Sequence, residues 1–169
     1  RMPQSSSHGA PGRVDIHPLG DRAVVVELDS PISEEAVDFI RRVDERLSSA
    51  NLPGVRECVP AFCSLTVHYD PAAAVGAGAE RDALAFDILR AAIEVVIADI
   101  GPAAREPRAA VEIPVCYGGD YGEDLVALAL GRGLSADEFI AIHSAATYFV
   151  GMIGFLPGFP YLGGLDERL

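Results

Sequence analysis

The chain has 169 residues, 50% of them hydrophobic, with 25 acidic side chains against 13 basic ones and a formal net charge of −12. Such a length and apolar content allow one medium domain or two small ones and exclude a disordered chain. The acidic excess repels phosphate backbones and anionic lipid, so neither nucleic acid nor a membrane is an expected partner.

Arg1 to Gly12 is rich in Ser, Pro and Gly without periodicity and reads as a disordered tail over residues 1–12. Val14 to His17 reads as a first strand, Pro18 to Asp21 as a turn, and Ala23 to Leu28 as a β-branched strand. Ser33 is placed to cap a helix whose first turn carries Glu34 and Glu35, the sign that suits the N-terminal dipole. Ala36, Ile40, Val43 and Leu47 fall on one face of that helix, which ends at Asn51 to Gly54. Strands over Val55 to Pro60 and Ser64 to Tyr69 follow, and Asp70-Pro71 stops the second. After an Ala/Gly-rich connection a helix runs from about Arg81 to Ile100. Leu84, Ile88, Ala91, Ala92 and Val95 form its expected core face, with Ile93, Val96 and Ile97 widening it. So broad an apolar surface suggests burial on two sides, with a second copy of the chain as one cover. The order β-β-α-β-β-α implies an α+β fold, with an antiparallel or mixed sheet carrying helices on one face.

Gly101 to Pro107 is a linker by composition, dividing a domain over 13–105 from one over 108–169. Ala110 to Cys116 reads as a strand whose Pro114 places it at an edge or bulge. Asp120 with Glu123, and Ser135 with Glu138, have capping-box spacing for two helices, the second running through His143. Thr147 to Phe155 reads as a strand entering Gly154-Phe155-Leu156-Pro157-Gly158-Phe159-Pro160-Tyr161-Leu162-Gly163-Gly164-Leu165. There the glycines allow close backbone approach and the prolines hold three rings in place. A stiff apolar loop is either buried under another element or built to hold a ligand, and composition leaves both open.

Few residues are equipped for chemistry. Every basic residue is an arginine, so this chain supplies no phosphate-loop lysine, Schiff base or lysine general base. Cys58, Cys63 and Cys116 are odd in number and lack C-x-x-C spacing, so they read as mostly buried thiols of a reducing compartment, with no metal site. His8 lies in the tail, and His17 and His68 read as structural histidines beside strands. His143 is the candidate catalytic residue, a general acid or ligand-orienting group, although capping of its own helix explains it equally well. No signal-peptide pattern is present, and Glu94 and Asp99 break the longest apolar helical run, so a cytoplasmic location is expected.

Several blocks together resemble one family: Pro18 to Ala23, Val59 to Phe62 with Ser64-Leu65, Tyr69 to Pro71, Ile113 to Gly119, His143-Ser144, and the long motif Gly154 to Leu165. They resemble the allophanate hydrolase subunit 1 family, also known as KipI and as the B-type subunit of 5-oxoprolinase, over nearly all of Val14 to Leu169. The resemblance implies a ferredoxin-like N-terminal domain followed by the start of a cyclophilin-like β-barrel domain, with further barrel strands expected past Leu169. It also implies a two- or three-component ATP-dependent amide hydrolase, of the 5-oxoprolinase or allophanate hydrolase type, working with a subunit 2 partner (KipA-like, the C-type subunit of 5-oxoprolinase). ATP belongs to the complex as a whole. Related domains in urea amidolyase take part in biotin-dependent carboxyl transfer. The alternative role in the family is a KipI-like binding module that inhibits a sensor histidine kinase. Phe155, Pro157, Gly158, Phe159, Pro160, Tyr161, Gly163 and Gly164, as the signature motif, become the candidate substrate-binding wall.

Overall fold

The computed structural model describes residues 12–76, 84–101 and 109–169. The expected tail, the linker after Gly101 and the first turn of the expected helix at Arg81 lie outside these residues. The described chain is mixed helix and sheet, in two compact units. One comprises the described residues of Arg1–Ala104 with Gly151–Tyr161, the other those of Arg105–Val150 with Leu162–Leu169.

The first unit is built on β1 (Arg13–Leu19), β2 (Ala23–Asp29), β3 (Val55–Ala61) and β4 (Ser64–Tyr69), which form an antiparallel sheet in the order β1-β2-β4-β3. Strand β1 continues through Pro18, where a turn was expected. It lies at the sheet edge, where a residue without an N–H is tolerated. Val24, Val26 and Leu28 alternate inward on β2, and Leu65, Val67 and Tyr69 do so on β4.

Helices cover that inner face. Helix α1 (Glu34–Ala50) starts where Ser33 accepts the Ala36 N–H and ends on Asn51 in the left-handed conformation. Its Ala36, Phe39, Ile40, Val43 and Leu47 are buried, as the spacing predicts. A short α2 (Pro71–Val75) stands where only a connection was expected. Asp70 accepts from the N–H groups of Ala72 and Ala73 and so caps it, and Pro71 opens its first turn. Arg56, at 3.0 Å, together with these N–H bonds holds the Asp70 carboxyl below its usual range.

Helix α3 (Ala85–Ala98) corrects the sequence reading. Leu89, Ile93 and Ile97 are its buried stripe, whereas Leu84 is 65% exposed and Val95 72% exposed. Apolar residues extend over more than one stripe of this helix, so periodicity did not single out the face that α1 and α2 cover. Arg42 of α1 donates to the Gly101 carbonyl at 2.6 Å, tying α1 to the chain just past α3. Burying side chains such as Phe39, Ile40, Leu65 and Ile93 gives about 1.5–3 kcal/mol each, which makes this the stable part of the described chain.

The second unit is thinner. Ala110 to Cys116 forms no strand: it carries no ladder among the described residues, and Val111 is 83% exposed. The capping box expected at Asp120 and Glu123 is also absent. Gly118 and Gly119 turn the chain sharply into a single 3-10 turn over Gly119–Tyr121, and α4 (Leu125–Gly131) begins only after Asp124. Helix α4 closes with Leu134 N–H on the Ala129 carbonyl and Gly133 N–H on the Leu130 carbonyl. The capping box at Ser135 and Glu138 does form, and it starts α5 (Ala136–Ala145). Ala129 is the one buried hydrophobic residue of this unit among the described residues. Strand β5 (Phe149–Ile153) is shorter than expected and pairs with an unanticipated β6 (Pro160–Gly163). No described helix is long and apolar enough to cross a membrane.

Candidate functional site

His143 lies in the last turn of α5. Its Nδ1 shares a 2.6 Å hydrogen bond with the Tyr117 hydroxyl, and the two rings meet edge to face with centroids 5.6 Å apart. The Tyr148 hydroxyl donates to the His143 carbonyl at 2.9 Å, and its ring tilts against the imidazole at 5.5 Å. Tyr148 lies just past the end of α5, five residues after His143, so its hydroxyl replaces the partner that a last-turn carbonyl lacks. Burial first, then the nearby Tyr117 and Asp166, raise the Tyr148 phenol above its ordinary value. Asp166 is gripped by Arg168 through contacts of 2.7 and 2.9 Å, which lower its carboxyl to about 2.

Two residues of the expected wall adjoin this cluster. A Cβ on Gly163 would fall 2.3 Å from the Phe149 ring, and one on Gly164 would fall 3.2 Å from the Thr147 carbonyl and 3.7 Å from Tyr148 Cα. The Gly163-Gly164 backbone therefore runs flush against the segment that delivers Tyr148. Tyr117, His143, Tyr148, Gly163 and Gly164 all belong to the second unit.

The rest of the expected wall forms the tip of the β5–β6 hairpin, in the first unit. Gly154 N–H bonds the Phe159 carbonyl at 3.1 Å, and Phe159 N–H bonds the Leu156 carbonyl at 3.0 Å, so the turn is closed by its own backbone. Phe155 sits at φ +64°, a left-handed backbone that aromatic residues seldom adopt, and its side chain is 81% exposed. Phe155, Phe159 and Tyr161 make a run of edge-to-face contacts, 5.8 and 5.5 Å between successive centroids. Pro157, Gly158 and Pro160 are exposed beside them, so simple burial, one of the two sequence readings, does not describe this loop.

The loop is braced from the β3–β4 turn. Phe62, at φ +45°, donates its N–H to the Gly151 carbonyl at 2.9 Å. Its ring lies so close that a Cβ on Gly151 would come within 2.2 Å of it.

His143 and the exposed rings belong to different compact units. Sequence reasoning gives no role to Tyr148, nor to Tyr117 and Phe62 beyond their place in the motif blocks. Tyr117 is 26 positions from His143, a separation that no local rule bridges. Other candidates recede. His17 and His68 are exposed on the open face of the sheet, Cys58 and Cys63 are half-buried, and Cys116 is exposed where a buried thiol was expected. Burial, then Asp44 and Glu57, push the Cys58 thiol up to about 11, which leaves it unreactive. No group of side chains among the described residues has the makings of a metal site.

Comparison with known proteins gives this geometry a context. The family model of the carboxyltransferase domain, subdomain C and D, matches residues 14–169. The B-type subunit of 5-oxoprolinase from Bacillus subtilis (strain 168) is 37% identical over 157 residues, covering 93% of this chain and 65% of that protein. Its counterpart of the same name from Escherichia coli O157:H7 is 35% identical over 153 residues, covering 89% of this chain and 63% of that protein. The chain thus spans just under two thirds of the length of these two relatives. Among solved structures, the crystal structure of TTHA0988 is similar with a TM-score of 0.64 at 32% identity, covering 87% of this chain and 26% of that one.

Proposed function

This chain belongs to the family of the carboxyltransferase domain, subdomain C and D, and on that premise we propose that it serves as one component of an ATP-dependent hydrolase opening a small cyclic amide of the 5-oxoproline kind. The observation that carries this reading is the alignment of 93% and 89% of the chain with proteins named as the B-type subunit of 5-oxoprolinase. In this reading the chain works in the cytoplasm beside a C-type 5-oxoprolinase partner, and ATP is bound at the level of the complex.

Within the second unit, His143 is the residue offered to a ligand, and Gly163 and Gly164 shape the backbone beside it. Within the first unit, taken by itself, Phe155, Pro157, Gly158, Phe159, Pro160 and Tyr161 form an apolar wall. The wall is supported by the exposure of its rings and by the left-handed backbone of Phe155, since strained loop residues cluster at ligand sites. We read the first unit as ferredoxin-like and the second as the opening of a cyclophilin-like barrel.

The test is co-purification. A tagged copy of this chain, co-expressed with a C-type 5-oxoprolinase partner, should retain it through size exclusion at physiological salt. Elution of the two as separate species would count against the reading.

A further inference from the structure

We propose that His143 acts as a hydrogen-bond donor through Nε2–H, aimed at a carbonyl oxygen, and that Tyr117 is the positioning residue that holds Nδ1 as the acceptor. The inference rests on the reading that His143 faces the substrate, and it goes further by assigning the atom and the direction of the bond.

The chemistry of the two groups favours one direction for this bond. A neutral imidazole carries one N–H, and the bond made by one ring nitrogen dictates the state of the other. The Tyr117 hydroxyl lies 2.6 Å from Nδ1, at the short end of hydrogen bonding. A phenol is a good donor and a poor acceptor, whereas an unprotonated imidazole nitrogen is among the best neutral acceptors in a protein. The O–H···N arrangement is therefore favoured over N–H···O. On that preference the Tyr117 proton is assigned to the bond with Nδ1, and the ring proton to Nε2. The edge-on Tyr117 ring and the tilted Tyr148 ring fix the plane of the imidazole. Among the described residues nothing hydrogen-bonds Nε2, and it is not among the buried polar atoms left without a partner. Nε2–H is thus open to a ligand. A group so arranged lacks a free lone pair for proton abstraction, but it can stabilise charge growing on a carbonyl oxygen as an amide is attacked.

Two measurements test this, and they separate the inference from the reading beneath it. The first is long-range proton–nitrogen correlation NMR on the full chain with labelled histidine, the His143 signals being assigned from their loss in His143→Gln. In the unsubstituted protein near neutral pH, the expected pattern is Nε2 protonated and Nδ1 bare. In Tyr117→Phe, the two nitrogens should shift toward an average as both tautomers become populated. Nδ1 protonated in the unsubstituted protein, or no change in Tyr117→Phe, overturns the inference whatever the activity.

The second is turnover of the complex with its partner subunits. His143→Ala should lose about 100- to 1,000-fold, the cost of removing one such donor. His143→Gln, whose amide N–H can stand near the position of Nε2, should recover at least tenfold of that loss. Equal losses in both variants overturn the donor role. Full activity in both overturns the placement of His143 at the substrate, and with it the inference.

Discussion

Substitution of Gly151 by alanine tests how the hairpin is held. The added methyl would sit 2.2 and 2.3 Å from two ring carbons of Phe62, well inside contact distance. Phe62 has little room to retreat. Its N–H is bonded to the Gly151 carbonyl at 2.9 Å, the next residue's carbonyl accepts the Leu28 N–H at 2.8 Å, and its backbone is already left-handed. Forcing one extra carbon into such a contact costs about 1–3 kcal/mol, which corresponds to roughly 5- to 150-fold in the local opening equilibrium. Amide hydrogen exchange at Phe62 reports that equilibrium directly, because its N–H is the donor to Gly151. Gly151→Ala should accelerate its exchange within this range and leave the amides of Val26 and Val67, deep in the sheet, close to unchanged. Adding Phe62→Ala should remove most of the penalty, since the ring that meets the methyl is gone, and the two substitutions would then be strongly non-additive. Unchanged exchange at Phe62 in Gly151→Ala refutes the bracing of the hairpin by the β3–β4 turn.

Other consequences are equally direct. Phe39→Ala should destabilise the first unit by about 3–5 kcal/mol in chemical denaturation, since the ring is fully buried between helix and sheet. Ser33→Ala removes the cap of α1 and should cost about 1 kcal/mol in the same assay. Cys58, with its thiol near 11 in the fold against an ordinary value of 9.0, should react with a thiol reagent at pH 8 far more slowly than exposed Cys116. The same shift favours the neutral thiol in the folded state. Its contribution to stability is therefore complete below pH 9 and is lost as pH rises toward 11, a loss that Cys58→Ser should abolish.

Local chemistry made part of this structure legible from sequence. The caps at Ser33 and Ser135, the buried stripe of α1 and the alternation in β2 and β4 depend on neighbours a few residues apart, and all are present. Where the outcome depended on distant cover, the pattern was ambiguous. Ile93 and Ile97 lie inward and Val95 outward because α1 and α2 cover one side of a helix whose apolar residues extend beyond a single stripe. Ala110 to Cys116 has the alternation of a strand but no ladder partner among the described residues. Asp70-Pro71 signals a helix start as well as a strand stop, since aspartate caps and proline fits the first turn. His143 stood out by its place at a helix end, but the tyrosines that orient it did not. Tyr117 reaches it only through the fold.

The central claim is that this chain takes part in opening a cyclic amide at the expense of ATP. Its most direct test is phosphate release by the complex of this chain with its partner subunits, measured with and without 5-oxoproline. The account predicts ATP hydrolysis that depends on 5-oxoproline, yields glutamate in equal amount, and falls when His143→Ala replaces the unsubstituted chain. An assembled complex that binds ATP yet hydrolyses it at the same rate with and without the cyclic amide, forming no glutamate, would contradict it.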